Sequence, residues 1–163
     1  MVRNNLVIED AKIGFRNFSG KEGKYNPPGR RNFCVFLEAD LAAKMQEDGW
    51  NVKYLNPRDE GEAPQAYLQV AVNFDNIPPK VVLVTSRGKT TIGEDEIGAL
   101  DWADITNVDL IIRPYNWEVN GKTGVKAYVK SLYVTIEEDE FEAKYYDTPD
   151  SAMNTIEDDD VPF

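Results

Sequence analysis

Asn120-Gly121 sits between two long runs in which apolar and polar residues alternate, and no other feature constrains the fold as strongly. Asn-Gly is the dipeptide best suited to positive φ at both central positions of a type I′ turn, whose twist matches that of paired strands. A two-residue turn also sets the register. Val119 then pairs with Lys122, Trp117 with Gly124, Tyr115 with Lys126 and Arg113 with Tyr128. Paired residues share a face, and every second residue along a strand returns to it. One face therefore collects Arg113, Tyr115 and Trp117 with Lys126, Tyr128 and Lys130. The other collects Val108, Leu110 and Ile112 with Val125, Ala127 and Val129, an ordinary core set.

The rest of the chain supports a mainly β protein. Lys12 to Phe18 alternates, with Ala11, Ile13 and Phe15 on one side and Lys12, Arg16 and Phe18 on the other. Residues 19–31 (SGKEGKYNPPGRR) have the glycines, prolines and bases of a flexible basic loop, with Lys21, Lys24, Tyr25, Arg30 and Arg31. Phe33 to Leu37 reads as a second strand. Asp40 is placed to cap a short helix that Gly49 ends, with Leu41 and Met45 turned to the core. Trp50 to Leu55 follows as a short strand, and 56–64 as an acidic loop. Ala66, Leu68, Val70, Val72 and Phe74 alternate strictly with other residues, the cleanest strand signal here. Pro78-Pro79 breaks the chain before Val81 to Thr85, an apolar run suited to burial on both faces. A second short helix is expected around Glu94 to Trp102. Many short strands and few helices suit a small, partly open Greek-key barrel better than a parallel sheet.

Net charge is −11, which taken as an average argues against a nucleic-acid partner. The average is misleading. Residues 137–163 hold eleven acids against the single base Lys144, leaving −10 there and only −1 on residues 1–136. Within that body, residues 1–36 carry +4 and residues 110–136 carry +3, while the 73 residues between them carry −8. Two units are expected: a domain over 1–136 and a disordered acidic tail over 137–163. One cysteine, Cys34 in an apolar run, rules out an internal disulfide and reads as a buried thiol in a reducing cytoplasm. No signal-peptide-like or membrane-spanning apolar stretch is evident.

The face of three aromatics and three cations meets the needs of single-stranded nucleic acid. Unpaired bases stack on Tyr and Trp while Arg and Lys track the phosphates. Gly124, opposite Trp117, would leave room beside the indole for a base. The same residues would also serve as half-buried sheet aromatics solvated by their cations, as in sheets that bind nothing. The outward set Lys12, Arg16 and Phe18 and the loop cations Lys24, Arg30 and Arg31, with Tyr25, extend the candidate surface. DNA and RNA are not separated at this level. Catalysis is not expected: no histidine is present, Gly88-Lys89-Thr90 lacks the first glycine of a phosphate-binding loop, and Gly121-Lys122-Thr123 lies on a hairpin tip. The adjacent acids Glu94-Asp95-Glu96 do not converge as metal ligands, so no cofactor or metal is expected.

The chain ends Asp158-Asp159-Asp160-Val161-Pro162-Phe163. A terminal aromatic on an acidic leash contributes nothing to a distant core, and its plausible use is capture by a partner's pocket and cationic group. This end resembles the acidic tip of bacterial single-stranded DNA-binding proteins. The segments RNFCVFLEADLAAKM, GWNVKYL and DLIIRPYNWEVNGKTGVKAYVKSLYVTIEED resemble phage and prophage single-stranded DNA-binding proteins, which implies a mainly β, oligonucleotide-binding (OB) fold-like barrel with one or two short helices. The resemblance implies a protein that coats and protects single strands during replication, recombination or repair. It implies that Asp158, Asp159, Asp160, Val161, Pro162 and Phe163 recruit host or phage replication and repair proteins. Helix placement, the 56–64 insertion and the missing Gly/Gln-rich linker depart from the bacterial family, and leave the oligomeric state open. A second class of reading is an acidic interaction module or DNA mimic that binds a host DNA-binding protein. A mimic needs acids spread over a folded surface, whereas here they gather in the tail.

Overall fold

The computed structural model of the chain describes residues 2–57, 60–75 and 77–137. The acidic tail beyond Glu137, including Asp158 to Phe163, lies outside the described residues. Nine strands and two helical segments occur among the described residues: β1 (Leu6–Ile8), β2 (Lys12–Asn17), β3 (Arg31–Leu37), α1 (Ala39–Asp48), β4 (Lys53–Leu55), β5 (Gln65–Val72), β6 (Lys80–Thr85), β7 (Gly88–Ile92), a 3₁₀ helix (Ile97–Asp101), β8 (Ile105–Val119) and β9 (Lys122–Ile136). They form one sheet in the order β1-β8-β9-β5-β3-β2, with β4 added to β5 and the β6–β7 hairpin added to β9.

The two ends of that order are consecutive in the chain. β1 and β2 are separated only by residues 9–11, where Asp10 takes φ 50° and the Ala11 N–H donates to the Val108 carbonyl at 2.7 Å. One bent segment thus borders both β8 and β3, and the open sheet curls towards a barrel. The result is the OB-like architecture expected from the pattern. Phe18, Phe33, Leu68, Ile97, Leu100, Leu110, Ile112 and Leu132 fill its centre.

The terminal hairpin forms as its turn requires. Asn120 and Gly121 have φ 52° and 78°, and the register is Val119↔Lys122, Trp117↔Gly124, Tyr115↔Lys126 and Arg113↔Tyr128. Val108, Leu110, Ile112, Ala127 and Val129 are buried as the alternation requires, and Val125 is half-buried. Beyond this stretch the pairing shifts: Ile112 faces Val129 but Ile111 faces Ser131, so Lys130 is the extra residue of a bulge. The shift changes the parity of the core side, and Leu132 and Val134 are buried in turn. It falls where β9 changes parallel neighbour, from β5 at Ala127–Tyr128 to β6 at Ser131–Thr135.

Other expectations need correction. The helix begins at Ala39, and Asp40 lies in its first turn instead of capping it; its carboxylate there still opposes the positive end of the helix dipole. Gly49 ends the helix at φ 110° as expected, and Ala42 and Met45 are the residues fully buried from it, with Leu41 half-buried. The second helix is only a 3₁₀ turn. Residues 86–90 make the Ser86-Arg87 turn and the start of β7, a strand not expected from the sequence because Gly88-Lys89-Thr90 has no apolar alternation. Residues 19–31 are more ordered than a flexible loop. The Gly29 N–H donates to the Gly20 carbonyl at 2.8 Å, and the Asn26 amide donates to the carbonyls of Lys21, Pro27 and Arg30.

Candidate nucleic-acid interface

Register places the aromatic hairpin face on a broader surface than the sequence suggested. Asn32 pairs with Ala71 across β3–β5, Ala71 with Tyr128 across β5–β9, and Tyr128 with Arg113 across β9–β8. These partners share one side of the sheet. The other side is the core, since Phe33, Val35, Leu68, Val70 and Ile112 are buried. A parallel row, Lys12, Phe36, Tyr67 and Lys53, crosses β2, β3, β5 and β4 on the same outer side, and Cys34 opposite Gln69 lies between the two rows.

The hairpin half of this face is a connected cluster. The Arg113 guanidinium lies 4.7 Å from the Tyr128 ring centroid, the Lys126 ammonium 5.3 Å from the same ring, and Tyr115 meets Tyr128 edge-on with centroids 6.1 Å apart. Contacts of this kind hold the cations against the rings while leaving their outer donors to a ligand. Tyr115 is 52% exposed and Trp117 37%. A Cβ added to Gly124 would lie 2.4 Å from Cζ2 of Trp117. The space over Gly124 is therefore taken by the indole itself, and is not free for a base as the sequence suggested. Glycine lets the ring lie flat on the strand and present its outer face.

Beside this cluster, Arg30 from the β2–β3 loop, Lys53 from β4, Trp117 from β8 and Lys126 from β9 line one groove of about 270 Å³, with Asn51 and Gln69 between them. Three cations, one indole and several amides in one groove match a phosphate backbone with adjacent bases. A larger groove of about 580 Å³ between β2 and the start of β8 sets Lys12 and Arg16 against Asp104 and Glu137. Its mixed charge and lack of aromatic lining suit it less to that ligand.

The remaining candidates divide. Phe18, expected on the outer side, is fully buried and stacks on Phe33 at 5.1 Å, so it cannot serve as a contact residue. A bulge in β2 causes this. Pairing shifts between Gly14 and Asn17, Phe15 adopts φ 48°, and its ring turns outward to 64% exposure against Phe36. Arg16 donates from Nη1 to the carbonyls of Leu100 and Ala103, both at 2.9 Å, which makes it a brace and not a free cation. Arg31 is paired with Glu94 at 3.0 Å, its side chain 19% exposed, and is likewise structural. Lys12 meets Asp10 at 3.1 Å on the open surface, where such a pair is easily broken. Lys24 lies 5.4 Å from the ring of Tyr25, which is 89% exposed, and Lys130 is exposed at its bulge.

Lys53, Asn51, Gln69, Phe36, Tyr67 and Phe15 were missed. Alternation in Phe33–Leu37 could have raised Phe36, but the unbroken apolar run hid which side faced out. Burial raises the pKa of the Cys34 thiol above its ordinary value of 9.0, with Lys53 partly opposing the shift. Among the described residues, no group of His, Cys, Asp and Glu converges as a metal site, and no helix is long and apolar enough to cross a membrane.

A phage ssDNA-binding domain model matches residues 1–163, the whole chain. The chain belongs to that family. Among solved structures it is similar to the single-stranded DNA-binding protein of bacteriophage Enc34. The match to that protein in complex with ssDNA has TM-score 0.53 and 10% identity, over 84% of this chain and 89% of the other. Without DNA it has TM-score 0.52 and 11% identity, over 88% and 90%. At such identities the likeness is one of fold. No curated protein matches the chain.

Proposed function

We propose that this protein coats single-stranded DNA with little sequence preference, along the outer face of β3, β5, β9 and β8. One observation carries the reading: the register brings Arg113, Tyr115, Trp117, Lys126 and Tyr128 onto the same side of the sheet as Asn32, Gln69 and Lys53. The Enc34 protein, similar in fold, has a structure with ssDNA. Stacking on Tyr115 and Trp117 accepts any base, because every base has a flat face, and Arg30, Lys53 and Lys126 supply sequence-blind charge for phosphates. This is a binding role without catalysis, and it serves replication, recombination or repair. The acidic tail completes it: Asp158, Asp159 and Asp160 steer a partner protein that captures Val161, Pro162 and Phe163. Because it is tethered to the same molecule, the tail's ten net negative charges compete with DNA for the basic groove.

Titration with oligo-dT, oligo-rU and duplex tests the binding reading. Expected are quenching of Trp117 by the single strands, weak binding to duplex, and affinity that falls steeply with salt. Absence of any quenching or mobility shift at low salt would refute it. For the tail, capture of replication or repair proteins from a host lysate should vanish when Phe163 is replaced by Ala. Retention of the same proteins by the F163A chain would remove the tip from the proposal.

A further inference from the structure

Trp102 is the residue the sheet-face reading leaves unexplained. It comes directly after the 3₁₀ helix and is 77% exposed. An indole in water gains none of the packing that makes tryptophan valuable in a fold. Its position is nonetheless firmly held. The Arg16 guanidinium bridges the carbonyls of Leu100 and Ala103, which flank the Asp101-Trp102 pair, at 2.9 Å each. On the other side of the turn, Asp101 accepts from the Phe18 and Ser19 N–H groups and from the Ser19 hydroxyl, at 2.6, 3.1 and 2.7 Å. That carboxylate is occupied by the fold. Lys21 lies over the indole, its ammonium 5.2 Å from the ring centroid.

The base of the β2–β3 loop links this station to the groove. Lys21 and Arg30 each come directly after one member of the joined pair Gly20 and Gly29, whose backbones meet through a 2.8 Å hydrogen bond. A Cβ on Gly20 would lie 3.1 Å from Gly29, so only glycine at φ 75° lets the loop close there. Arg30 lines the groove that holds Trp117, and Lys21 reaches Trp102. The closed base of the loop thus carries one cation towards each indole.

We propose that Trp102 and Lys21 form a second base-stacking station for single-stranded nucleic acid, off the sheet face and reached across the Gly20–Gly29 loop base. The inference rests on the binding reading above and extends it. The strand leaves the groove at Arg30, crosses the loop base, and stacks a base on Trp102 while Lys21 moves to the accompanying phosphate. A longer strand engages both stations, and a short one only the groove.

The chain has three tryptophans, and Trp50 is only 5% exposed, so Trp117→Phe leaves Trp102 as the sole exposed indole. In that full-length variant, saturating dT of about 20 nucleotides should still quench emission, and adding Trp102→Phe should abolish the quenching. Trp102→Ala alone should weaken dT of about 20 nucleotides by about 5- to 150-fold and leave dT of about 6 nucleotides unchanged. Lys21→Ala should show the same length dependence with a smaller loss and a shallower salt slope. Trp102 is on the surface, so these chains should fold, and unchanged thermal unfolding would verify it. If wild type binds dT but Trp102→Ala alters neither length, the indole serves something other than nucleic acid, such as a protein contact, and the proposal is overturned. If wild type binds no single strand at all, the binding reading itself fails first.

Discussion

β2 and β9 each carry a bulge, and their different placement decides which side chains reach the outer face. In β9 the extra residue is Lys130, beyond Lys126 and Tyr128, so the hairpin face stays intact and only the later core positions change parity. In β2 the bulge falls within the short candidate stretch. It carries Phe15 out to solvent and leaves Phe18 beneath the sheet against Phe33. Period-two alternation holds from a turn to the next bulge and no further, because one inserted residue reverses the side taken by everything after it.

The largest test of this contrast is Phe18→Ala. Removing a fully buried ring should destabilise the protein by about 3–5 kcal/mol, read from urea unfolding. dT affinity per folded molecule should change far less. A selective loss of DNA affinity with unaltered stability would put Phe18 back among the contact residues.

Trp117→Ala should behave oppositely, losing about 1–3 kcal/mol of dT affinity with little change in unfolding. Gly124→Ala sharpens this, since its methyl would intrude on the indole. It should shift Trp117 emission and weaken dT binding although no contact residue is removed; an unshifted spectrum would count against the observed ring position.

Smaller effects are expected from charge. Lys53→Ala and Lys126→Ala should each lower the slope of log affinity against log salt by about 0.7 if one phosphate is lost from a single strand. Lys24→Ala, outside the groove, should lower it less. Equal slopes for all three would erase the distinction between groove and loop.

The smallest effect concerns Cys34, buried between the two rows of the outer face. Burial raises its thiol pKa, so alkylation should be slow at neutral pH and accelerate only above the ordinary 9.0. Stability depends on pH in the same sense. The fold favours the neutral thiol, so this contribution is fully present below 9.0 and is lost as pH rises through the higher folded-state value. Fast labelling at pH 7 would show that the thiol is not desolvated as described.

Much of this protein was legible in its sequence where local chemistry decides structure. Asn120-Gly121 tolerates the positive φ of a type I′ turn, and that turn alone set the register that brings Trp117, Lys126, Arg113 and Tyr128 together. Strict alternation in β5 and the glycine stop of α1 were readable for the same reason. Contacts between segments distant in the chain were decided by tertiary structure alone. The parallel meeting of β5 with β9 joins two halves of the outer face, and Arg30 and Lys53 come to Trp117 from far along the chain. Arg16, Arg31 and Arg30 look alike as bases in a row of letters. Partners at Leu100, Ala103 and Glu94 hold the first two, while Arg30 opens on the groove. A side chain's charge is written in the sequence, but whether the fold has already used it depends on neighbours that only folding supplies.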